Sequence, residues 1–190
     1  MTIDHLVNAQ PLKREYSARD ELETVTLVDA ENQAIGAYGK IAAHRDGKLH
    51  RAFSILISNP DGELLLQRRA AHKYHFAGQW SNTCCGHPRP GEHTLAAAGR
   101  RLGEELGFST PLKQVAELRY RAMDPDSGLI EHEHLHVIQG HYADEPYPNP
   151  DEVGAYRWMQ PNRVRRGLAR FPGMFTPWFA LLAAELEQYN

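Results

Sequence analysis

The residues best placed for chemistry lie in the middle of the chain. Gly86 is followed by five residues and Glu92, and then by Arg100-Arg101-Leu102-Gly103-Glu104-Glu105-Leu106-Gly107-Phe108. Leu95, Ala98, Leu102 and Leu106 recur at helical spacing, and Gly107 is a suitable C-terminal stop, so a helix is expected over Glu92–Leu106. Glu92 would open that helix, where the dipole favours a carboxylate. Arg101 and Glu105 are four apart and share a face. Glu104 adds a second carboxylate near the helix end, and such paired oxygens suit Mg²⁺. Seven of the eleven histidines fall in short clusters, at His44/His50, His72/His75 and His132/His134/His136, which points to a metal. The two cysteines, Cys84 and Cys85, are neighbours. Adjacent cysteines rarely bridge, so they make no disulfide framework.

A single mixed α/β domain must position these groups. At 190 residues the chain can bury one substantial core. With 24% charged and 42% apolar residues it reads as globular. A formal charge of −3 gives no basic footprint for nucleic acid, so any anion site has to be local. No apolar run approaches the ~18 residues that span a bilayer. Met1–Asp20 is polar and lacks the apolar centre of a signal peptide, so the expected location is the cytoplasm. Residues 1–22 show little periodicity and read as a loosely held arm, with the domain over 23–190. Strands are expected at Thr24–Val28, Ala52–Ser58, Glu63–Arg69, Val115–Arg121 and His134–His141. Asn59-Pro60-Asp61-Gly62 turns the second into the third. Helices are expected at Pro161–Leu168 and Thr176–Gln188.

The glycine–glutamate segment resembles the Nudix box, with one departure: Arg101 stands where the hydrolases of that superfamily carry glutamate. Three further segments resemble type I isopentenyl-diphosphate isomerases within that class. They are Ala42-Ala43-His44 with His50-Arg51-Ala52-Phe53-Ser54, then Trp80 through Pro88, then Tyr120-Arg121-Ala122 through Asp124-Pro125 to Glu131-His132-Glu133. The resemblance runs from about Glu23 to about Trp178. It implies a Nudix fold, with mixed β-sheet packed between helices, and conversion of isopentenyl diphosphate to dimethylallyl diphosphate by protonation and deprotonation.

Position by position, the resemblance implies a first metal site of His44, His50, His87, Glu131 and Glu133. Imidazoles take divalent transition ions, and two carboxylates harden the site towards Mn²⁺ or Mg²⁺ while still admitting Zn²⁺. Glu131 and Glu133, two apart on a strand, point to one face, and His132 and His134 to the other. A competing site of His132, His134 and His136 shares that second face. The resemblance further implies Cys85 as the catalytic cysteine, with Cys84 packing away from it. Glu133, assisted by Tyr120, is the candidate acid, and Trp178 stabilises the carbocation. Lys40, Arg69, Lys73 and Arg101 would hold the diphosphate, and Glu105 a bridging Mg²⁺. No flavin is expected, and a monomer is. The alternatives are a Nudix hydrolase of a nucleoside or other diphosphate, and a non-catalytic metal- or ligand-binding Nudix domain. The hydrolase leaves Cys85, His44, His50 and His87 without a role.

Overall fold

The computed structural model describes Tyr16 and residues 18–185. In chain order the strands are β1 (Thr24–Val28), β2 (Ala34–Gly39), β3 (His50–Ser58), β4 (Leu64–Arg69), β5 (Trp80–Ser81), β6 (Cys84–Gly86), β7 (Leu112–Met123), β8 (Ile130–His141) and β9 (Val153–Met159). The helices are α1 (Ala18–Leu22), α2 (Lys40–Asp46), α3 (Thr94–Leu106), α4 (Pro161–Arg170) and α5 (Pro177–Glu185).

β3 is the organising strand. Its run from Ala52 to Ile57 is buried throughout, as befits a strand covered on both faces. Along one edge it pairs in parallel with β8, from His50↔Glu133 to Ser58↔His141. Shorter antiparallel partners also use it: β1 at His50, β6 at Phe53–Ile55 and β4 at Ser58. The Asn59–Gly62 turn is present, but β4 leaves β3 after that one pair and runs antiparallel to β9.

Alternation along β3 divides the core into two layers. Phe53, Ile55 and Ile57 pack with Ala97, Ala98, Leu102 and Leu106 of α3. Ala52 and Leu56 join the opposite layer with Leu135, Val137, Val164 of α4, and Trp178, Phe179 and Leu182 of α5. The sheet thus lies between helices, as expected.

Several boundaries differ from the sequence reading. Helix α3 begins at Thr94 rather than Glu92, because His93 caps it by accepting from the Leu95 amide. Glu92 lies in the preceding loop, where its carboxylate accepts from the Arg89 amide and twice from Arg100. At the far end Gly107 adopts φ 73°, and a Cβ there would lie 2.7 Å from the Tyr147 carbonyl oxygen, so conformation and space both demand glycine. Most of the expected arm, and the end of the last helix beyond Glu185, lie outside the described residues. Within them Ala18–Leu22 is helical. Strands β2 and β9 and helix α2 had no counterpart in the sequence reading, and β7 and β8 are longer than expected.

Candidate active site

Three elements and one loop converge beneath a cleft. Gly39 ends β2 and lets the chain turn into α2, whose His44 is fully buried. Four residues beyond α2, β3 starts at His50, and the parallel register places His50 beside Glu133. Glu131, two residues earlier on β8, shares the face of Glu133. His87 follows β6 directly.

One ligand atom from each of His44, His50, His87, Glu131 and Glu133 lies within 4.8 Å of all the others. The ring orientations are dictated by the backbone. His44 Nδ1 donates to the Lys40 carbonyl at 2.7 Å, and His50 Nδ1 to the Lys48 carbonyl at 2.8 Å. A carbonyl only accepts, so both Nδ1 atoms carry protons and both rings turn Nε2 inward. His50 Nε2 and His87 Nε2 are 3.2 Å apart, and His87 Nε2 is 3.0 Å from Glu133 Oε1. His44 Nε2 approaches Glu131 Oε2 to 3.1 Å, yet both atoms are buried with no hydrogen bond between them or to any other group. Burial holds His50 down to about 4 and His87 well below the usual imidazole range, so both rings present as neutral ligands. Orphaned buried atoms and converging lone pairs in a mixed imidazole–carboxylate set fit a divalent ion.

The two glutamates have different environments. Burial, reinforced by the neighbouring Glu131 carboxylate, pushes Glu133 well above the ordinary carboxyl range. For Glu131 burial acts in the same sense, but His44 and His75 overcome it and hold the group well below that range. Tyr120, paired with Glu133 across β7 and β8, donates its hydroxyl to Glu133 Oε2 at 2.7 Å. Burial raises the tyrosine far above its usual value, so it keeps its proton.

Above this floor the cleft encloses about 790 Å³ of empty space, solvent at its mouth included. Cys85, Tyr120, Glu131, Glu133, Trp178, Lys40, Arg69, Lys73, Arg101 and Glu105 all line it. Cys85 faces Ser54 across the β3–β6 ladder, with Sγ and Oγ 3.2 Å apart. Its thiol also donates to Asn82 Oδ1 at 3.2 Å. The orientation of that amide is fixed, because Asn82 Nδ2 donates to the carbonyls of Ile55 and Cys84. Burial pushes the Cys85 thiol up to about 12. Cys84 points into the opposite core layer, as an extended pair requires. The Trp178 indole is pinned by donation to Ser81 Oγ at 3.0 Å and Asn82 Oδ1 at 3.2 Å.

At the rim, cations meet carboxylates. Lys40 contacts Asp20 and Glu23, both at 2.8 Å. Lys73 pairs with Glu152 at 2.7 Å. Arg101 reaches Glu104 at 2.6 Å, Glu105 at 2.5 Å and Glu152 at 3.2 Å. Arg69 lies 5.7 Å from the Trp178 ring centre, and its Nε is buried without a partner.

Comparison with known proteins agrees with this geometry. The NUDIX domain matches residues 48–179. An isopentenyl-diphosphate Delta-isomerase of Halorhodospira halophila is 52% identical over 166 residues, covering 86% of this chain and 95% of that protein. The chain belongs to the isopentenyl-diphosphate Delta-isomerase family of NUDIX-domain proteins. A second family member, from Nocardia farcinica, is 51% identical and covers 82% of this chain and 90% of its own. Among solved structures, DR0079 from Deinococcus radiodurans superposes with a TM-score of 0.72 at 19% identity, covering 86% of this chain and 98% of that one. A MutT protein from Methanosarcina mazei Go1 gives 0.62 at 19% identity, covering 75% and 95%. At such identities these two speak to the fold alone.

All the site residues expected for an isomerase of this family are gathered in or under the cleft. Four residues of the site had no role in the sequence reading. His75, 2.7 Å from Glu131 Oε1, was visible only as half of a histidine cluster. Ser54 and Asn82 lie inside the quoted motifs, but their contacts with Cys85 depend on the β3–β6 register. Glu152 comes from the β8–β9 connection and carried no local signal. The competing histidine trio does not form, because His132 turns away to donate to the Gly47 carbonyl at 2.9 Å.

Proposed function

We propose that the protein converts isopentenyl diphosphate to dimethylallyl diphosphate, with Glu133 and Cys85 as the two proton carriers. One observation carries this reading: a Glu133–Tyr120 pair and a Cys85–Ser54–Asn82 group face the same cleft, beneath a rim of cations. A diphosphate would engage Arg69, Lys40, Lys73 and Arg101 through charge-assisted hydrogen bonds. That anchors the hydrocarbon end against Trp178 and the two carriers.

An unactivated alkene is a weak base, so protonation needs a positioned acid in a site shielded from water. Glu133 gives its proton to the terminal alkene carbon, and Tyr120 steadies the carboxyl from its other oxygen. The π-electrons form the new C–H bond, leaving a tertiary carbocation. The Trp178 face stabilises that charge, an interaction of about 2 kcal/mol when desolvated. Cys85 acts in this direction as the thiolate, its own proton having first passed to solvent; it takes the C2 proton to become a thiol, and the C–H electron pair becomes the new double bond. The reverse reaction retraces this path, so each carrier donates in one direction and accepts in the other.

His44, His50, His87, Glu131 and Glu133 would hold a Mn²⁺, Mg²⁺ or Zn²⁺ ion, and Glu105 a Mg²⁺ at the diphosphate. Such ions orient carboxylates and neutralise phosphate charge. Arg101 supports isomerisation over hydrolysis, since it sets a cation where a Nudix hydrolase has a carboxylate. The same reading takes the protein as a cytoplasmic monomer, which cell fractionation and light scattering would check.

The test is proton NMR of the protein with isopentenyl diphosphate and Mg²⁺ in D₂O, beside Cys85→Ala. Dimethylallyl diphosphate carrying deuterium, formed by the parent and not by the variant, is the expected result. An unchanged substrate, with phosphate or a mononucleotide released from a panel of nucleoside diphosphates, would replace this reading with a hydrolase.

A further inference from the structure

The face of β8 turned away from the cleft carries a second convergence of ligand atoms. His134 and His136, two apart on the strand, project to the same side. Glu117 of β7 lies directly across from His136 in the antiparallel register. His134 Nε2 is 2.7 Å from Glu117 Oε2, and His136 Nδ1 is 3.3 Å from Glu117 Oε1. One ligand atom from each of the three lies within 4.8 Å of the other two. Both imidazoles are largely buried, while Glu117 is 40% exposed and leaves a route for an ion. His134 Nδ1 is buried and has no hydrogen-bond partner.

We propose that His134, His136 and Glu117 form a second divalent-metal site, independent of the floor cluster and suited to a transition ion such as Zn²⁺. Two imidazoles with one carboxylate select such ions over Mg²⁺, which prefers oxygen ligands and retained water. Gln114 Oε1, 2.9 Å from His136 Nδ1, or a water supplies a fourth donor. The bound ion ties β7 to β8 directly behind Glu131 and Glu133.

In the metal-free protein two protons stand where the ion goes. Glu117 accepts from His134, and Gln114 accepts from His136 Nδ1. On the far side of the His136 ring, Asn32 Nδ2 is 3.2 Å from Nε2, and Arg51 fixes that amide by donating to Asn32 Oδ1 at 2.9 Å. Loading moves the His136 proton to Nε2, where it meets the Asn32 amide hydrogens. Asn32 therefore opposes binding unless its amide turns over. A carboxylate at that position would accept from both His136 Nε2 and Arg51, completing a carboxylate–histidine–metal arrangement. Residue 32 has φ 62°, a conformation that aspartate also tolerates.

The experiment is equilibrium dialysis of chelator-stripped full-length protein against Zn²⁺, with bound metal counted per chain. The parent should hold one equivalent more than Glu117→Gln or His136→Gln, whatever the floor cluster binds. Asn32→Asp should bind that extra equivalent about tenfold more tightly. This gain cannot arise from misfolding, and the partly exposed Glu117→Gln covers the case in which a histidine variant fails to fold. Equal counts in the parent and Glu117→Gln, or an Asn32→Asp affinity no higher than the parent's, would overturn the proposal.

Discussion

The floor and the rim of the cleft are built on opposite terms. In the floor, His44 Nε2 and Glu131 Oε2 lie 3.1 Å apart, buried and without satisfying each other. At the rim, Lys40, Lys73 and Arg101 each already hold a carboxylate. Unsatisfied buried atoms are costly, so a floor of this kind suits an occupant that stays. Cations paired with Asp20, Glu23, Glu104 and Glu152 suit an occupant that comes and goes, exchanging carboxylate oxygens for phosphate oxygens. The lesson is that one cleft can hold a permanent charge and a transient one, separated by which polar groups are left without partners.

The strongest way to break this contrast is at the boundary between the two regions. Glu133→Gln removes the carboxyl from both floor and chemistry, and kcat should fall about 10²- to 10⁴-fold in initial-rate assays. A loss below tenfold would remove Glu133 from proton transfer. Next comes metal removal. Returning Mn²⁺ to stripped protein at about 100 times its Kd should add about 2.7 kcal/mol of stability, since the ion binds only the folded state. A calorimetric scan should then show Tm rising by about 5–10 °C, and no rise would mean that the floor is satisfied as it stands. Arg101→Glu addresses the rim, where a charge-assisted hydrogen bond contributes about 1.5–3 kcal/mol. KM for isopentenyl diphosphate should rise about 10- to 100-fold with a smaller change in kcat, and a kcat effect alone would move Arg101 out of binding. The smallest change is expected of Glu152→Gln, which releases Lys73 and Arg101 from a competing carboxylate. KM should fall by about fivefold or less, an ion-pair effect of about 1 kcal/mol at most, and a rise would show that Glu152 holds these cations in place rather than competing with the substrate.

Much of this molecule is legible in its sequence, for definite reasons. The apolar spacing of Leu95, Ala98, Leu102 and Leu106 marks α3, and Gly107 marks its end. Its first turn was misplaced because Glu92 resembles a favourable opening carboxylate, yet Arg100 draws it back into the loop and His93 takes the cap. β2 escaped notice because AIGAYG is mostly exposed and has two glycines, so it lacks the alternation that marks a half-buried strand. β9 is held by pairing with β4 across a long stretch of chain, which no local pattern reveals. In the site, residues within compact motifs were visible from their types and spacing. Ser54 and Asn82 owe their contacts with Cys85 to register, and Glu152 owes its place to a turn after β8. Such facts are tertiary.

The parallel pairing of β3 with β8 also bears on how the protein comes into being. Ser58 and His141, bonded at one end of that ladder, are 83 positions apart in sequence. His50 and Glu133 meet at the other end, so the cluster has no local precursor in the unfolded chain. Contacts of such separation require loop closure before they yield any stabilisation, and they slow folding. On a ribosome the turn at Asn59–Gly62 and helix α3 can form while Glu131 and Glu133 are still unsynthesised. The ligand set is therefore assembled late, and until β8 arrives the long apolar strand β3 has an open edge that needs protection from other chains.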